Sequence, residues 1–210
     1  REIYPVLDVM QKVGMVLCVH GEVTDPEVDI FDREAVFIDR VLIPLRRDFP
    51  GLKIVMEHIT TKEAVNYVWV GGRGLAANIY AHHMLSHSNT VFLSPNGATG
   101  LYPDNYCLPI LKRENHRRAL VDAAISGNPK FFLGTDSAPH AALLKDTAPS
   151  CAGCFTAPAA LELYAEAFEA AGKLDKLEGF ASHFGADFYG LPRNTATVTL
   201  ARAPWEVRKE

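Results

Sequence analysis

The chain has 210 residues, of which 48% are hydrophobic and 22% are charged, and its formal net charge is -4. This is the composition of a globular domain with a hydrophobic core, and its mildly acidic balance gives no reason to expect a nucleic-acid partner or an anionic membrane surface. No apolar run approaches the ~20 residues needed to span a bilayer.

Short apolar runs that end in a polar or ionisable residue predict four β-strands. The chain begins on an expected helix, and further helical patterns lie between and after the strands. Alternating strands and helices favour βα units and a parallel sheet, which places the chain in the α/β class. The predicted strands span 15–20, 52–58, 75–80 and 131–136, and the later helices span 30–49, the segment from Thr60 onward, 113–124 and 158–171.

Local signals define three further segments. The sequence Thr60-Thr61-Lys62-Glu63 predicts a capping box in which Thr60 is the N-cap and Glu63 reaches back. The segment 82–105 is rich in turn signals and predicts a long irregular loop. The tail predicts one more strand over 195–200, and the two tryptophans, Trp69 and Trp205, are interpreted as packing residues.

The four cysteines are expected to be reduced thiols. Cys18 lies in an apolar strand-like run, where a buried thiol is typical. Cys151 and Cys154 form a C-x-x-C pair, but a zinc knuckle needs a second ligand pair, and the sequence offers only Cys107 and scattered histidines. A loop with reduced cysteines is therefore favoured over a cysteine-based zinc site.

Three metal-ligand residue types stand at the carboxyl ends of predicted strands: His20, His58 and Asp136. In a parallel α/β sheet, functional residues cluster at these ends. Imidazole and carboxylate suit a hydrolytic zinc ion, which activates water and polarises a carbonyl. A single strand-end histidine is more often structural, but three such residues at equivalent positions favour a metal site.

Six motifs, in order along nearly the whole chain, resemble those of class II dihydroorotase. The resemblance implies the (β/α)₈ TIM barrel of the amidohydrolase superfamily, with a site that holds two zinc ions. The expected reaction is the reversible cyclisation of N-carbamoyl-L-aspartate to L-dihydroorotate in pyrimidine biosynthesis. The motifs are V-H-G-E-V at 19–23, D-I-F-D-R-E at 29–34, E-H-I-T-T at 57–61, Y-C-L-P-I-L-K-R at 106–113, G-T-D-S-A-P-H at 134–140 and C-A-G-C-F at 151–155.

The resemblance also implies a role for individual residues. His20 and His58 match two histidines that ligate one metal, and Asp136 matches the aspartate that ligates the other metal and is the general base. The residues expected to contact the substrate are His20, Leu108, His140 and Ala152. Of these, His140 and Ala152 match positions that hold the substrate carboxylate, and the Leu108 backbone matches a contact to the ring.

Several family features are absent from this sequence. It has neither the H-x-H pair expected before His20 nor the following substrate-binding arginine, and the carboxylated lysine that bridges the two metals is missing. The stretch 86–105 is also longer than in the family pattern, and Asp104 follows Pro103 where a histidine is frequent. We therefore expect residues 1–210 to form a single domain corresponding to the C-terminal part of the barrel, inactive by itself.

Two other interpretations stay open at this stage. One is an amidohydrolase that acts on another cyclic amide, such as a hydantoin or allantoin. The other is a truncated or degenerate paralogue without enzymatic activity. For an enzyme, the resemblance implies a small-molecule substrate, a homodimer and a cytoplasmic location, with an organelle such as the plastid as the alternative.

Overall fold

The computed structural model describes residues 2–94 and 96–204, and a four-stranded parallel sheet forms its centre. The strands lie side by side in the order β1-β2-β3-β4, and each pairs in parallel with its neighbour. All four predicted strands are thus confirmed, with shorter bounds than their apolar runs. Their bounds are β1 Leu17–His20, β2 Ile54–Glu57, β3 Leu75–Ile79 and β4 Phe131–Leu133.

Helices connect the strands and cover the sheet. The α-helices are α1 Tyr4–Val13, α2 Arg33–Phe37, α3 Ile43–Asp48, α4 Lys62–Val70, α5 Ala81–Leu85, α6 Asn89–Phe92, α7 Glu114–Ile125, α8 Ala142–Lys145, α9 Ala160–Ala170 and α10 Phe184–Tyr189. Shorter helical turns are the π-helical segments Ile38–Leu42 and Gly179–His183 and the 3₁₀ turns Pro103–Asn105, Ala157–Ala159 and Leu174–Lys176.

The helix predicted over 30–49 is divided into three parts. It begins at Arg33 and passes through the π-helical segment Ile38–Leu42 before continuing as α3. Pro44 is at the start of α3. Because proline has no amide hydrogen, a regular α-helical ladder loses one bond there, and the adjacent π turn accommodates the gap.

The N-cap of α4 is Thr61, so the predicted capping box at Thr60 is wrong. The Thr61 hydroxyl accepts a hydrogen bond from the Ala64 amide at 3.1 Å. The buried carboxylate of Glu34 accepts hydrogen bonds from the backbone amides of both Thr60 and Thr61, at 2.8 Å each. Glu34 therefore satisfies the amides at this helix start, which leaves Glu63 no capping role.

The core fills the space between the sheet and its helices. The two central strands are buried on both faces, because helices and chain segments cover them, and this explains their continuous apolar sequence. Tyr164 of α9 is fully buried, and its single O–H group is shared between the carbonyl oxygens of Ile79 (2.7 Å) and Gly134 (2.5 Å). This single side chain ties the carboxyl ends of β3 and β4 together.

Three other predictions change in the structure. The Cys18 thiol, predicted to be buried, is exposed. The segment 195–200 has no regular secondary structure and is exposed, since no neighbouring strand pairs with it within the described residues. The segment 82–105 is not wholly irregular, because it contains α6 and the turn Pro103–Asn105. The Trp69 ring contacts that of Phe131, with centroids 5.9 Å apart, but the residue is 47% exposed, so it is a partly solvent-exposed residue and not a core one. Trp205 is outside the described residues. No helix in the described part is long and apolar enough to cross a membrane.

Candidate active site

Two histidines meet at the carboxyl edge of the sheet. His20 is the last residue of β1 and His58 is the first residue after β2. Their rings are 4.5 Å apart between centroids, and the Nδ1 atom of His20 lies 3.0 Å from the Nε2 atom of His58. The parallel register places His20 opposite Glu57, the last residue of β2, so His58 follows directly at the same edge of the sheet. The structure thus brings together two of the three predicted ligands.

His58 and Asp136 share an unusual backbone conformation. Their φ angles are 40° and 38°, and no other non-glycine residue within 2–94 and 96–204 has a positive φ. Such a conformation costs of order 1–3 kcal/mol and persists where the surrounding structure imposes it, most often at functional sites. The Asn78 side chain fixes the first of these positions by accepting a hydrogen bond from the His58 amide.

Asp136 is at the carboxyl end of β4, on the same edge of the sheet as the histidine pair. Partial burial and the negative charge of Glu57 raise the pKa of Asp136, and the charge of His20 opposes that rise. The carboxylate makes no hydrogen bond with His20 or His58 in the described part of the chain. It therefore shares the electrostatic environment of the pair without contacting it.

The histidine pair fits a metal ion. At zinc–nitrogen bonds of about 2.0–2.1 Å, two ligands of a tetrahedral ion are about 3.3 Å apart, close to the separation of the two ring nitrogens. Burial and the neighbouring His20 lower the pKa of His58 to about 4. His58 is consequently neutral near pH 7, as a ligating imidazole must be.

A buried carboxylate orients the first histidine. The Oε2 atom of Glu22 lies 2.9 Å from the Nε2 atom of His20, and the Glu22 side chain is only 6% exposed. Lys112, also buried, is 3.9 Å from the other carboxylate oxygen. A carboxylate on one ring nitrogen fixes the proton there and leaves Nδ1 free as a ligand atom. Glu22 was not predicted as a site residue, although it is two residues from His20 in the same motif.

A second polar cluster, made of Glu57, Asn78 and Tyr80, lies beside the histidine pair. Glu57 accepts hydrogen bonds from the Asn78 amide group and from the Tyr80 hydroxyl, the latter at 3.1 Å. Burial and the charge of Glu57 raise the pKa of Tyr80, so its hydroxyl stays protonated and donates. A Cβ atom on Gly134 would lie 2.3 Å from the Tyr80 ring, so glycine in the G-T-D motif makes room for this group.

Two of the predicted substrate-binding residues lie together on neighbouring loops. The Nε2 atom of His140 is 3.0 Å from the Ala152 carbonyl oxygen. The two loops are joined again where the Ala138 amide donates to the Cys154 carbonyl at 3.0 Å. Both loops line a shallow cavity of ≈ 200 Å³. The cavity is lined by Asp104, Ala138, His140, Lys145, Gly153 and Phe155.

Lys145 holds the loops in place. Its side chain is buried, and its Nζ atom donates to the carbonyls of Tyr106 (3.0 Å), Cys151 (3.0 Å) and Gly153 (2.9 Å). The first of these belongs to the loop that carries Leu108, which is 38% exposed. No hydrogen bond or ion pair joins these loops to the histidine pair among the described residues. Lys145 lies outside all six motifs, so no local signal in the sequence pointed to it.

Similar proteins place this geometry in a family context. No family model matches the sequence. The chain is 62% identical over 210 residues to a dihydroorotase of Cupriavidus necator, covering 100% of this chain and 60% of that protein. It is 63% identical over 207 residues to a dihydroorotase of Leptothrix cholodnii, covering 99% of this chain and 59% of that protein. The chain thus spans about 60% of the length of the curated relatives it matches.

Solved structures agree with the fold. The crystal structure of dihydroorotase in complex with 5-fluoroorotic acid from Saccharomyces cerevisiae has a TM-score of 0.80 and 34% identity, covering 91% of this chain and 54% of that one. An L-hydantoinase from Arthrobacter aurescens has a TM-score of 0.72 at 15% identity, covering 90% of this chain and 46% of that one, and shows the fold alone. The four-stranded sheet is therefore part of the predicted amidohydrolase barrel.

Proposed function

We propose that this chain, a homologue of dihydroorotases over its whole length, supplies the general base, part of the metal centre and the substrate loops of a dihydroorotase. The proposed reaction is the reversible cyclisation of N-carbamoyl-L-aspartate to L-dihydroorotate with loss of water. The observation that carries it is the 3.0 Å pair of ring nitrogens from His20 and His58, on the same sheet edge as Asp136.

Two zinc ions are the cofactors we propose. His20 and His58 would hold one ion, and Asp136 would ligate the other. When bound, the ions supply an activated water and polarise the carbonyl of the substrate. A coordinated imidazole must be neutral, and the lowered pKa of His58 meets that requirement.

Asp136 moves the proton in the proposed mechanism. In the ring-opening direction, one of its carboxylate oxygens takes the proton from the attacking water as the carbonyl is attacked. It then gives the proton to the departing ring nitrogen, and cyclisation reverses these steps. The strained backbone at Asp136 fixes where this carboxylate projects from β4.

The substrate is held by the loops in this proposal. His140 and Ala152 would bind the substrate carboxylate, and the Leu108 backbone would contact the ring. The short distance between His140 and Ala152 supports a joint role, because one anionic group can reach both. His20 would contact the substrate as well as the metal. Lys145 acts as a positioning residue, since it joins the three backbone segments that carry these contacts.

Residues 1–210 are proposed to be one domain that corresponds to the C-terminal portion of the barrel. The sequence contains no H-x-H pair before His20 and no residue that matches the bridging lysine. We therefore expect the 210 residues alone, purified with zinc, to bind at most one ion weakly and to show no turnover. Measurable turnover by this chain would contradict that expectation. A homodimer in the cytoplasm is the assembly and location we propose for the enzyme.

The function is tested in a protein of the relatives' full length that carries this chain. Asp136→Ala should abolish turnover of dihydroorotate, because the substitution removes the carboxylate that takes and returns the proton in the proposed mechanism. Cys151→Ser is the matched control and should have a mild effect, since its thiol is assigned no catalytic or metal-binding role. Equal losses in the two variants would refute the assignment of Asp136.

A panel of cyclic amides separates the nearest alternative. A hydantoin or allantoin lacks the ring carboxylate of dihydroorotate, so the His140–Ala152 loops would have no group to bind. We expect dihydroorotate to be turned over and the other two compounds to be poor substrates. Turnover of hydantoin at a comparable rate would favour a different amidohydrolase, and no turnover of any compound by the full-length protein would favour a non-enzymatic paralogue.

A further inference from the structure

A second group of metal-ligand side chains lies outside the site described above. His82 and His83 are on α5, and Cys107 precedes α7. One ligand atom from each of the three side chains lies within 4.8 Å of the other two. His83 and Cys107 are each only 3% exposed. The three residues come from two chain segments, so the tertiary fold brings them together.

The backbone fixes the geometry of this group. The Pro109 carbonyl oxygen lies 3.1 Å from the Nε2 atom of His83 and 3.4 Å from the Cys107 sulfur. The sulfur is itself 3.8 Å from the Nε2 atom of His83. The carbonyl accepts a hydrogen bond from the His83 Nε2–H group, which leaves Nδ1 as the unprotonated ring nitrogen of His83.

Two ring nitrogens in the group have no partner. The Nδ1 atoms of His82 and His83 are buried, and neither makes a hydrogen bond within the described residues. A buried polar atom without a hydrogen-bond partner destabilises the folded state. A bound cation would remove this destabilisation, because each unprotonated nitrogen offers a lone pair to a metal.

The two histidine rings of the group carry no charge that would repel a cation. Burial lowers the pKa of His82 to about 4 and that of His83 well below its ordinary value, so both rings are neutral near pH 7. The nearby ammonium of Lys112 faces the buried carboxylates of Glu22 and Glu34, which balance its charge. A hydrogen bond with the Cys154 thiol, together with burial, raises the pKa of Cys107, so its sulfur is a thiol until a metal displaces the proton.

We propose that His82, His83 and Cys107 bind a divalent transition-metal ion, with zinc as the best match, at a site separate from His20 and His58. Imidazole nitrogen and thiolate sulfur are the ligands that zinc prefers, and three protein ligands leave a fourth position for water. Binding forms a metal–sulfur bond and releases one proton from the thiol, with no change of oxidation state. The site does not depend on the proposed enzymatic function.

Sulfur ligation provides a signature that the His20–His58 site cannot produce. Cobalt(II) is added stepwise to the metal-free 210-residue chain, and the near-ultraviolet absorption from thiolate-to-cobalt charge transfer is recorded. We expect this band to saturate at one equivalent. Cys107→Ser should abolish it, and His83→Gln should weaken cobalt binding at least tenfold, since losing even an outer partner of a ligand costs about 10–100-fold.

Matched controls distinguish this site from other thiols. Cys151→Ser and Cys18→Ser should keep the full band, because neither sulfur belongs to the group. The proposal is overturned if the wild-type chain shows no band, if the band persists in Cys107→Ser, or if Cys151→Ser removes it. Should Cys107→Ser fail to fold by circular dichroism, X-ray absorption of the zinc-loaded His20→Ala/His58→Ala variant decides: a sulfur neighbour at about 2.3 Å supports the site, and a shell of nitrogen and oxygen alone refutes it.

Discussion

The Nδ1 atom of His20 lies 3.0 Å from the Nε2 atom of His58, although the two residues are 38 positions apart in the sequence. Parallel pairing of β1 and β2 produces this contact, because both strands end at the same edge of the sheet. The opposite nitrogen of His20 faces Glu22, so the ring is held on both sides. The relative position of the two rings therefore depends on Glu22 as well as on the pairing of β1 with β2.

Glu22→Gln is expected to weaken zinc binding at the His20–His58 pair about 10–100-fold. The amide keeps the shape of the side chain but loses the charge that makes the His20 ring a stronger ligand. The measurement is zinc affinity by competition with a chelator, made in a Cys107→Ser background that removes the other proposed metal site. Glu63→Gln, which alters an exposed carboxylate away from the pair, is the control, and an equal effect of both changes would contradict the prediction.

Lys145→Met is expected to lower the free energy of unfolding by about 2–4 kcal/mol, because three carbonyls lose a buried charged donor. Denaturation by urea measures the loss. Hydrogen exchange should also quicken at the Gly153 amide, which donates to the Tyr106 carbonyl at 2.9 Å. Lys176→Met changes a more exposed lysine and should have little effect. Similar losses of unfolding free energy in both variants would show that the three hydrogen bonds of Lys145 do not stabilise the fold.

Gly134→Ala is expected to destabilise the protein by about 1–3 kcal/mol through overpacking. The added methyl group would lie 2.3 Å from the Tyr80 ring and 2.9 Å from the Asn78 side chain. Because Tyr80 and Asn78 both donate to Glu57, their displacement should also disturb the candidate site. Gly72→Ala is the control, since the nearest atom to its added methyl group is a side-chain nitrogen of Arg46 at 3.7 Å. Urea unfolding curves with the same midpoint for Gly134→Ala and for Gly72→Ala would contradict the prediction.

His116 is expected to make the stability depend on pH. Its Nδ1 atom accepts a hydrogen bond from the Lys62 amide at 3.1 Å, and burial lowers its pKa. The unfolded histidine has a pKa of about 6.5. Its contribution is thus fully present above that value and is lost as the pH falls below it.

The variant His116→Gln tests this dependence, because its amide oxygen can accept the same hydrogen bond without titrating. Between about pH 7.5 and about pH 5.5, the wild-type free energy of unfolding should fall by up to about 1 kcal/mol more than that of the variant. The other histidines titrate equally in both proteins and cancel in the comparison. Parallel pH profiles would show that His116 does not contribute.

The local pattern of the sequence was sufficient to predict the four strands and to place three candidate site residues at their ends. Strands buried on both faces leave continuous apolar runs, so all four strands were predicted, and His20, His58 and Asp136 were assigned to their ends. The prediction for 195–200 was wrong, because a strand also needs a neighbour to pair with, and local apolar spacing does not contain that information. The motifs resembling dihydroorotase supplied the fold, and the similar proteins confirm it.

Contacts between distant segments were decided only by the tertiary structure. Glu34 lies 27 positions before Thr61, yet its carboxylate determines how α4 begins. Lys145 reaches a carbonyl 39 positions away, and His83 meets Cys107 across 24 positions. A periodic pattern records which face of an element is buried, because burial acts residue by residue. It does not record which polar groups meet, because that depends on how the elements pack in three dimensions.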